Sequence, residues 1–189
     1  MTGVAHLAAD DLRTPFAAVT QFDADQSFAL NVSMDCAQLR SHIDGLLPTL
    51  DEAYAVKVSG LFDSLQVRAP HRASPPYPTL IDALADQVVF DSEDAEGVMV
   101  GFRLPEYLDG VNVAGYHFHY VSDDRAHGGH VLDCRSGSVM VEIDAIDRFV
   151  LEGIAQEEVL VVVGVYSSSI QEAWEGVIPA ELLDVVASR

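Results

Sequence analysis

Gly115-Tyr116-His117-Phe118-His119-Tyr120-Val121-Ser122-Asp123-Asp124-Arg125-Ala126-His127-Gly128-Gly129-His130-Val131-Leu132-Asp133 is the stretch from which the rest of the chain is read. It carries four of the seven histidines. Tyr116 to Val121 is aromatic and apolar, which predicts a β-strand. Alternation along a strand puts His117 and His119 on one face, about 6–7 Å apart at their Cα atoms. The segment from Ser122 to Gly129 has turn chemistry. His130 then opens a second strand, His130-Val131-Leu132-Asp133-Cys134, and a hairpin returns it beside the first pair. A His-x-His pair alone is more often ordinary strand than a metal site; the third histidine across the hairpin is what points to an ion. Three neutral imidazoles and an open position suit a catalytic zinc site, whereas a closed site needs a fourth protein ligand. The spacing does not fix the metal, because imidazole also suits copper, iron and nickel.

The residues leading into that hairpin read Gly101-Phe102-Arg103-Leu104-Pro105-Glu106-Tyr107-Leu108-Asp109-Gly110-Val111-Asn112-Val113-Ala114. Together with the hairpin they closely resemble the α-acetolactate decarboxylase family. The resemblance continues through Arg13-Thr14-Pro15-Phe16-Ala17-Ala18-Val19-Thr20, Gly60-Leu61-Phe62 with Val67-Arg68, and Pro76-Tyr77-Pro78, and covers residues 12 to 150. It implies Zn2+ held by His117, His119 and His130. It implies a mixed sheet joined to a small β-barrel that carries the metal, and a homodimer. The implied substrate is a small hydroxy-keto acid, 2-acetolactate. Loss of CO2 leaves an enediolate, so charge must be stabilised where it develops on the ketone oxygen. A proton donor then completes acetoin. Arg68 matches a family arginine that contacts substrate, although the residue alone reads as a surface arginine beside a loop. Glu175, in Ala173-Trp174-Glu175-Gly176, matches the family's C-terminal glutamate and is the candidate proton donor; an exposed helix glutamate is the plain reading.

Two departures stand beside the resemblance. The family carries a glutamate in a Leu-Asp-Gly-Glu segment upstream of the Thr14-Pro15-Phe16-Ala17 region. Nothing before Thr14 matches it here and no Glu precedes Glu52, so Asp10 or Asp11 would have to substitute. Ala73 stands where a glutamine is common. The chain is therefore read as a decarboxylase of this type. The alternatives are a diverged relative that uses the same three histidines on another β-keto or 2-hydroxy acid, or a non-catalytic metal- or ligand-binding module.

Composition bounds these readings. The 189 residues are 49% hydrophobic, enough for a real core. One domain is expected, with approximate lobes 12–75 and 76–189. The net charge of −20 and pI near 4.3 argue against nucleic acid and anionic membrane, since both need a positive footprint. No apolar run reaches the roughly 18 residues of a membrane span. The start, Met1-Thr2-Gly3-Val4-Ala5-His6-Leu7, does not read as a signal peptide. A cytoplasmic location follows as the expectation. Cys36 and Cys134 form no CxxC pair and are expected as buried free thiols. His6, His42, His71 and His127 are expected in solvent, and Arg125 as a structural partner of Asp123 or Asp124.

Along the chain, residues 1 to 11 read as a frayed start. Phe16–Phe22 and Ser27–Val32 read as a hairpin. Asp35 caps a helix running to Leu47, with Leu39, Ile43, Leu46 and Leu47 on one face. Tyr54–Val58 and Ser64–Arg68 are strands either side of Gly60. Ala69–Pro78 is a proline-rich loop, and Thr79 caps a helix over Leu80–Asp86. Val88–Phe90 is followed by an acidic turn, Asp91–Glu96, and then a strand, Gly97–Leu104. Ser138–Ile143 and Val159–Tyr166 are further strands. Helices are expected from Ser167 to Trp174 and from Ala180 to Val186. Many strands and few helices predict an α+β fold with a mainly antiparallel sheet.

Overall fold

A computed structural model describes residues 4–5, 16–71, 78, 82, 85, 87–153 and 161–166. The described residues are mainly β, with the strands of the larger unit all antiparallel and one α-helix. The chain divides into two compact units, residues 1–12 with 23–145, and residues 13–22 with 146–189.

The larger unit is a sheet in the order β2-β7-β4-β5-β6, from β2 (Gln26–Leu30), β4 (Ala53–Pro70), β5 (Gln87–Leu104), β6 (Gly115–Ser122) and β7 (Gly128–Ile146). A two-residue strand, β3 (Met34–Asp35), also pairs with β7. Because β6 pairs with β7 as well as β5, the strands β7, β4, β5 and β6 form a closed circuit of pairings. β4 and β5 are paired from Tyr54↔Arg103 to Pro70↔Gln87, so residues on both sides of position 75 lie in one sheet.

Alternation sorts this circuit into a core face and an opposite face. Val56, Val58, Phe62 and Val67 of β4, Met99 of β5, Phe118 and Tyr120 of β6, and Val131, Val139 and Val141 of β7 are buried in one cluster. Helix α1 (Cys36–Asp44) closes that cluster with Leu39 and Ile43. Asp35 does cap it. The Gln38 N–H donates to Asp35 Oδ1 at 2.8 Å and the Asp35 N–H to Gln38 Oε1 at 3.0 Å, a reciprocal capping box. The helix stops at Asp44, short of Leu47, with Gly45 as its C-cap. At nine residues it is too short to stand alone, so its packing and its cap hold it.

Several expectations are corrected. Phe16–Phe22 does not fold back on Ser27–Val32. β1 (Phe16–Val19) runs parallel to β9 (Val161–Tyr166) in the smaller unit, where β8 (Arg148–Gly153) pairs antiparallel with β9. β2 pairs with β7 instead. The intervening turn residues are engaged by the far end of β7. The Asp23 N–H donates to Asp144 Oδ2 at 3.2 Å, the Asp25 N–H to the Ile143 carbonyl at 2.9 Å, and the Ala145 N–H to Asp25 Oδ2 at 2.8 Å. Asp91–Glu96 is not a turn but the middle of β5, paired with β4 from Gln66↔Asp91 to Leu61↔Glu96. Its acids point to water or to polar partners, as Asp91 Oδ1 does in accepting from Gln66 Nε2 at 2.8 Å. The ladder breaks only at Asp63 and Asp94, where Asp94 takes φ 50°. The two strands expected around Gly60 are one strand, and so are those expected at His130 and Ser138–Ile143. Val4 bridges His127, so part of the start is held. The helix over Leu80–Asp86 falls almost wholly outside the described residues, and the helices after Ser167 fall fully outside them.

Cys36 and Cys134 are not free thiols. They form a disulfide that joins the first turn of α1 to β7 across 98 residues of sequence. The two contexts are unrelated in sequence and meet only because α1 packs on the core face of β7. A cross-link over so long a loop restricts the unfolded chain, worth ~2–5 kcal/mol. Native protein is therefore expected to show no titratable thiol, and reduction or a paired Cys36→Ser, Cys134→Ser change to lower the urea-unfolding free energy by about that amount. Two reactive thiols in the native, unreduced protein would contradict this pairing.

Candidate metal centre

β6 and β7 meet in antiparallel register with His119 directly opposite His130, and with Tyr120 opposite Gly129. On the other side of β6, His117 lies opposite Phe102 and His119 opposite Val100 of β5. Phe118 and Tyr120 are 2% and 6% exposed, so alternation turns His117 and His119 to the opposite face. Val131 is 4% exposed, which turns His130 the same way. The hairpin reading is borne out. Ser122 to His127 forms the turn, closed by the Ser122 N–H donating to the His127 carbonyl at 2.9 Å. Arg125 takes φ 56° there and, among the described residues, is ion-paired with neither Asp123 nor Asp124. Asp124 Oδ1 accepts from the Ser122 hydroxyl at 2.6 Å and the Ala126 N–H at 2.9 Å.

The three rings converge. Their centroids are 5.2 Å apart for His117–His119, 4.8 Å for His117–His130 and 5.2 Å for His119–His130. One nitrogen from each lies within 4.8 Å of the others, and among the described residues no other cluster of three or more His, Cys, Asp or Glu is so placed. The Nε2 atoms of His117 and His119 are 3.3 Å apart. Two nitrogens bound tetrahedrally at about 2.0–2.1 Å would be separated by about 3.3–3.4 Å, so this donor set fits a metal ion.

Arg68 faces the same group. Val67 is buried, so Arg68 points away from the core, as His130 does. Its strand lies against β7 at this point: a Cβ built on Gly129 would sit 2.7 Å from the Arg68 carbonyl oxygen. The Arg68 charge acts on all three imidazoles. Partial burial first, and then Arg68, hold His117 below the ordinary imidazole value. His119, although more open to solvent, is lowered by desolvation among its neighbours, then by His117 and Arg68. His130 is lowered to about 4, by burial first and then by His117, Arg68, His119 and Arg40. All three are therefore neutral at pH 7, which is the ligating form.

Arg40 belongs to these surroundings and was not foreseen. It lies one helical turn after Cys36 on α1 and close to Ile43, on the inward stripe, and its buried Nε has no hydrogen-bond partner among the described residues. A cation on an apolar helix stripe was the available signal. The same end of α1 is pinned beside His117. The Tyr116 hydroxyl donates to Asp44 Oδ1 at 2.8 Å, and Arg103 Nε lies 3.5 Å from that oxygen. Burial and the Asp44 partner push the Tyr116 phenol well above its usual range. His42 and His127 are exposed, Cys134 is taken by its disulfide, and Glu175 and His6 lie outside the described residues.

The sequence profile described as alpha-acetolactate decarboxylase matches residues 1–159. The chain belongs to that family. Among curated relatives, an alpha-acetolactate decarboxylase of Methanosarcina mazei is 41% identical over 150 residues, covering 79% of this chain and 52% of its own. One from Klebsiella aerogenes is 35% identical over 150 residues, covering 79% and 58%. Among solved structures, acetolactate decarboxylase from Bacillus subtilis subspecies spizizenii superposes with a TM-score of 0.64 at 31% identity, over 66% of this chain and 53% of that one. A Staphylococcus aureus protein of unknown function similar to alpha-acetolactate decarboxylase gives 0.66 at 36% identity, over 68% and 55%. The chain thus spans about half the length of the curated relatives it matches. Among the described residues, no helix is long and apolar enough to cross a membrane.

The lowered imidazole values carry a sign. In metal-free protein the unfolded chain binds protons that the folded triad refuses. Stability is therefore full above the unfolded value of about 6.5 and is lost as pH falls toward about 4, the value for His130. Urea unfolding of the metal-free protein between these limits is expected to weaken with acid, and less so in His130→Asn. An identical pH slope in wild type and variant would contradict the assignment.

Proposed function

We propose that this chain is a zinc-dependent carboxy-lyase that converts 2-acetolactate to acetoin and CO2, and that it works as a homodimer. The observation that carries the reading is the convergence of three neutral imidazoles on one face with Arg68 beside them. Family membership supports the choice of substrate. The closed strand circuit that bears the histidines is read as the small metal-bearing barrel of the fold.

His117, His119 and His130 would hold the ion and, being neutral, leave its charge undiminished. Zinc bound there supplies Lewis acidity that stabilises negative charge on a ketone oxygen as the carboxylate departs. The chain's own residues do the rest. Arg68 presents a guanidinium fork to the anionic substrate and orients it toward the triad. Its charge and that of Arg40 give a local positive field in a protein whose net charge is −20, which would otherwise repel an acid. Phe102 and Val100, opposite His117 and His119, offer apolar surface for the substrate's methyl groups. Each turnover takes up one proton at the carbon that loses CO2; Glu175 is the proposed donor.

Zinc-loaded protein is expected to form acetoin from racemic 2-acetolactate well above the spontaneous rate. His117→Ala is expected to abolish the excess. Arg68→Ala is expected to lower kcat/KM by about 10- to 100-fold, the worth of a charge-assisted hydrogen bond. No acetoin from protein with a full complement of bound zinc would reject this activity. Turnover of another β-keto or 2-hydroxy acid would then assign the site to that substrate, and ligand binding without product would make it a binding module.

A further inference from the structure

Four glycines, Gly97, Gly101, Gly128 and Gly129, lie on or against the histidine strands where a side chain has no room, and two of them, Gly101 and Gly129, adjoin the histidines most directly. Gly101 of β5 is opposite Phe118, between the partners of His117 and His119. A Cβ there would fall 2.0 Å from the His117 carbonyl oxygen, 2.9 Å from its carbonyl carbon and 2.7 Å from Phe118 Cδ1. Gly129 of β7 is opposite Tyr120 and immediately precedes His130. A Cβ there would fall 2.7 Å from the Arg68 carbonyl oxygen and 3.2 Å from Val67 Cβ. Favourable carbon contacts begin near 3.5 Å. The obstacles are mostly backbone, which has no rotamer to turn aside, so an added methyl must move a strand. Neither glycine has a positive φ, unlike Gly60, Gly110 and Gly115. Space is therefore what demands glycine here.

We infer that Gly101 and Gly129 are positioning residues for metal binding. Gly101 lets the backbone of His117 close over β5, and so fixes where His117 stands relative to His119. Gly129 lets β7 close on β4, and so fixes His130 beside Arg68. Strand displacement of the size these contacts require, an ångström or so, exceeds the tolerance of a metal site for its ligands, about 0.2 Å. The inference rests on the reading of the triad as a metal site and says what sets its dimensions. Nothing in the ligand residues themselves does so, because three imidazoles on separate strand positions converge only if the strands are held at the right separation.

The test titrates full-length wild type, Gly101→Ala, Gly129→Ala and Gly137→Ala with cobalt(II), followed by the visible absorption of the bound ion. Gly137 is the control. It lies further along β7, where a Cβ would meet the movable Asp63 carboxylate at 2.6 Å and the Leu61 carbonyl oxygen at 3.2 Å, so alanine asks a smaller adjustment of β7 against β4, away from the histidines. Gly101→Ala and Gly129→Ala are expected to bind cobalt about 10- to 100-fold more weakly and with an altered spectrum. Gly137→Ala is expected to keep wild-type affinity and spectrum. Wild-type binding by the folded Gly101 and Gly129 variants, or an equal loss in Gly137→Ala, overturns the inference. Failure of wild type to bind cobalt rejects the metal site itself, a separate result. If the alanine variants do not fold, hydrogen exchange on the wild type decides. Amides of residues 117–119 and 129–130 protected without metal and unchanged with it support a site held by its strands; protection that appears only with cobalt overturns it.

Discussion

Antiparallel pairing of β6 with β7, with His119 facing His130, is the constraint on which the site depends. Side chains alternate along a strand, so this register decides both faces at once. It sends Phe118, Tyr120 and Val131 into the core and His117, His119 and His130 away from it. A slip of one residue would invert every one of these. The buried cluster therefore protects the geometry of the three histidines without touching it: moving them off their face requires exposing three apolar side chains. The closed circuit through β4 and β5 adds a second restraint, since neither histidine strand can slide without disturbing both neighbours. Arg68 joins the site through that circuit.

Electrostatics gives the site its character within an acidic protein. Thirty acidic side chains against ten basic ones leave most of the surface hostile to an anion. At the triad the balance reverses. Among the described residues no carboxylate shifts the three imidazoles; beyond burial and the neighbouring imidazoles, the charges acting are Arg68 on all three and Arg40 on His130. Burial does most to keep the imidazoles unprotonated, and the positive field that would attract an acid adds to it. One arrangement of cations would thus serve both metal binding and an anionic substrate.

The site was more legible in the sequence than the fold around it. His117, His119 and His130 could be placed because strand alternation and turn chemistry are local signals, and they sit within one hairpin. Arg68 came from family resemblance; nothing near it in sequence says that β4 lies against β7. Arg40 escapes a reading of α1 by its apolar residues, although the spacing from Cys36 to Ile43 puts it on the same stripe. The errors in the fold share a cause. Asp91–Glu96 looked like a turn because carboxylates favour turns, yet a strand with one face in water accepts them. Phe16–Phe22 looked like half of a hairpin because a hairpin is the nearest partner, whereas its actual partner begins at Val161. The disulfide joins cysteines 98 residues apart, and such pairing is a property of the packed chain.

If three imidazoles of this chain hold one metal ion, X-ray absorption at the zinc edge of the loaded protein will show their nitrogens around it. The expected result is one zinc per chain with three imidazole nitrogens at about 2.0–2.1 Å and oxygen completing the shell. A shell containing sulfur, a shell with fewer than three imidazoles, or protein that retains no zinc would contradict the account.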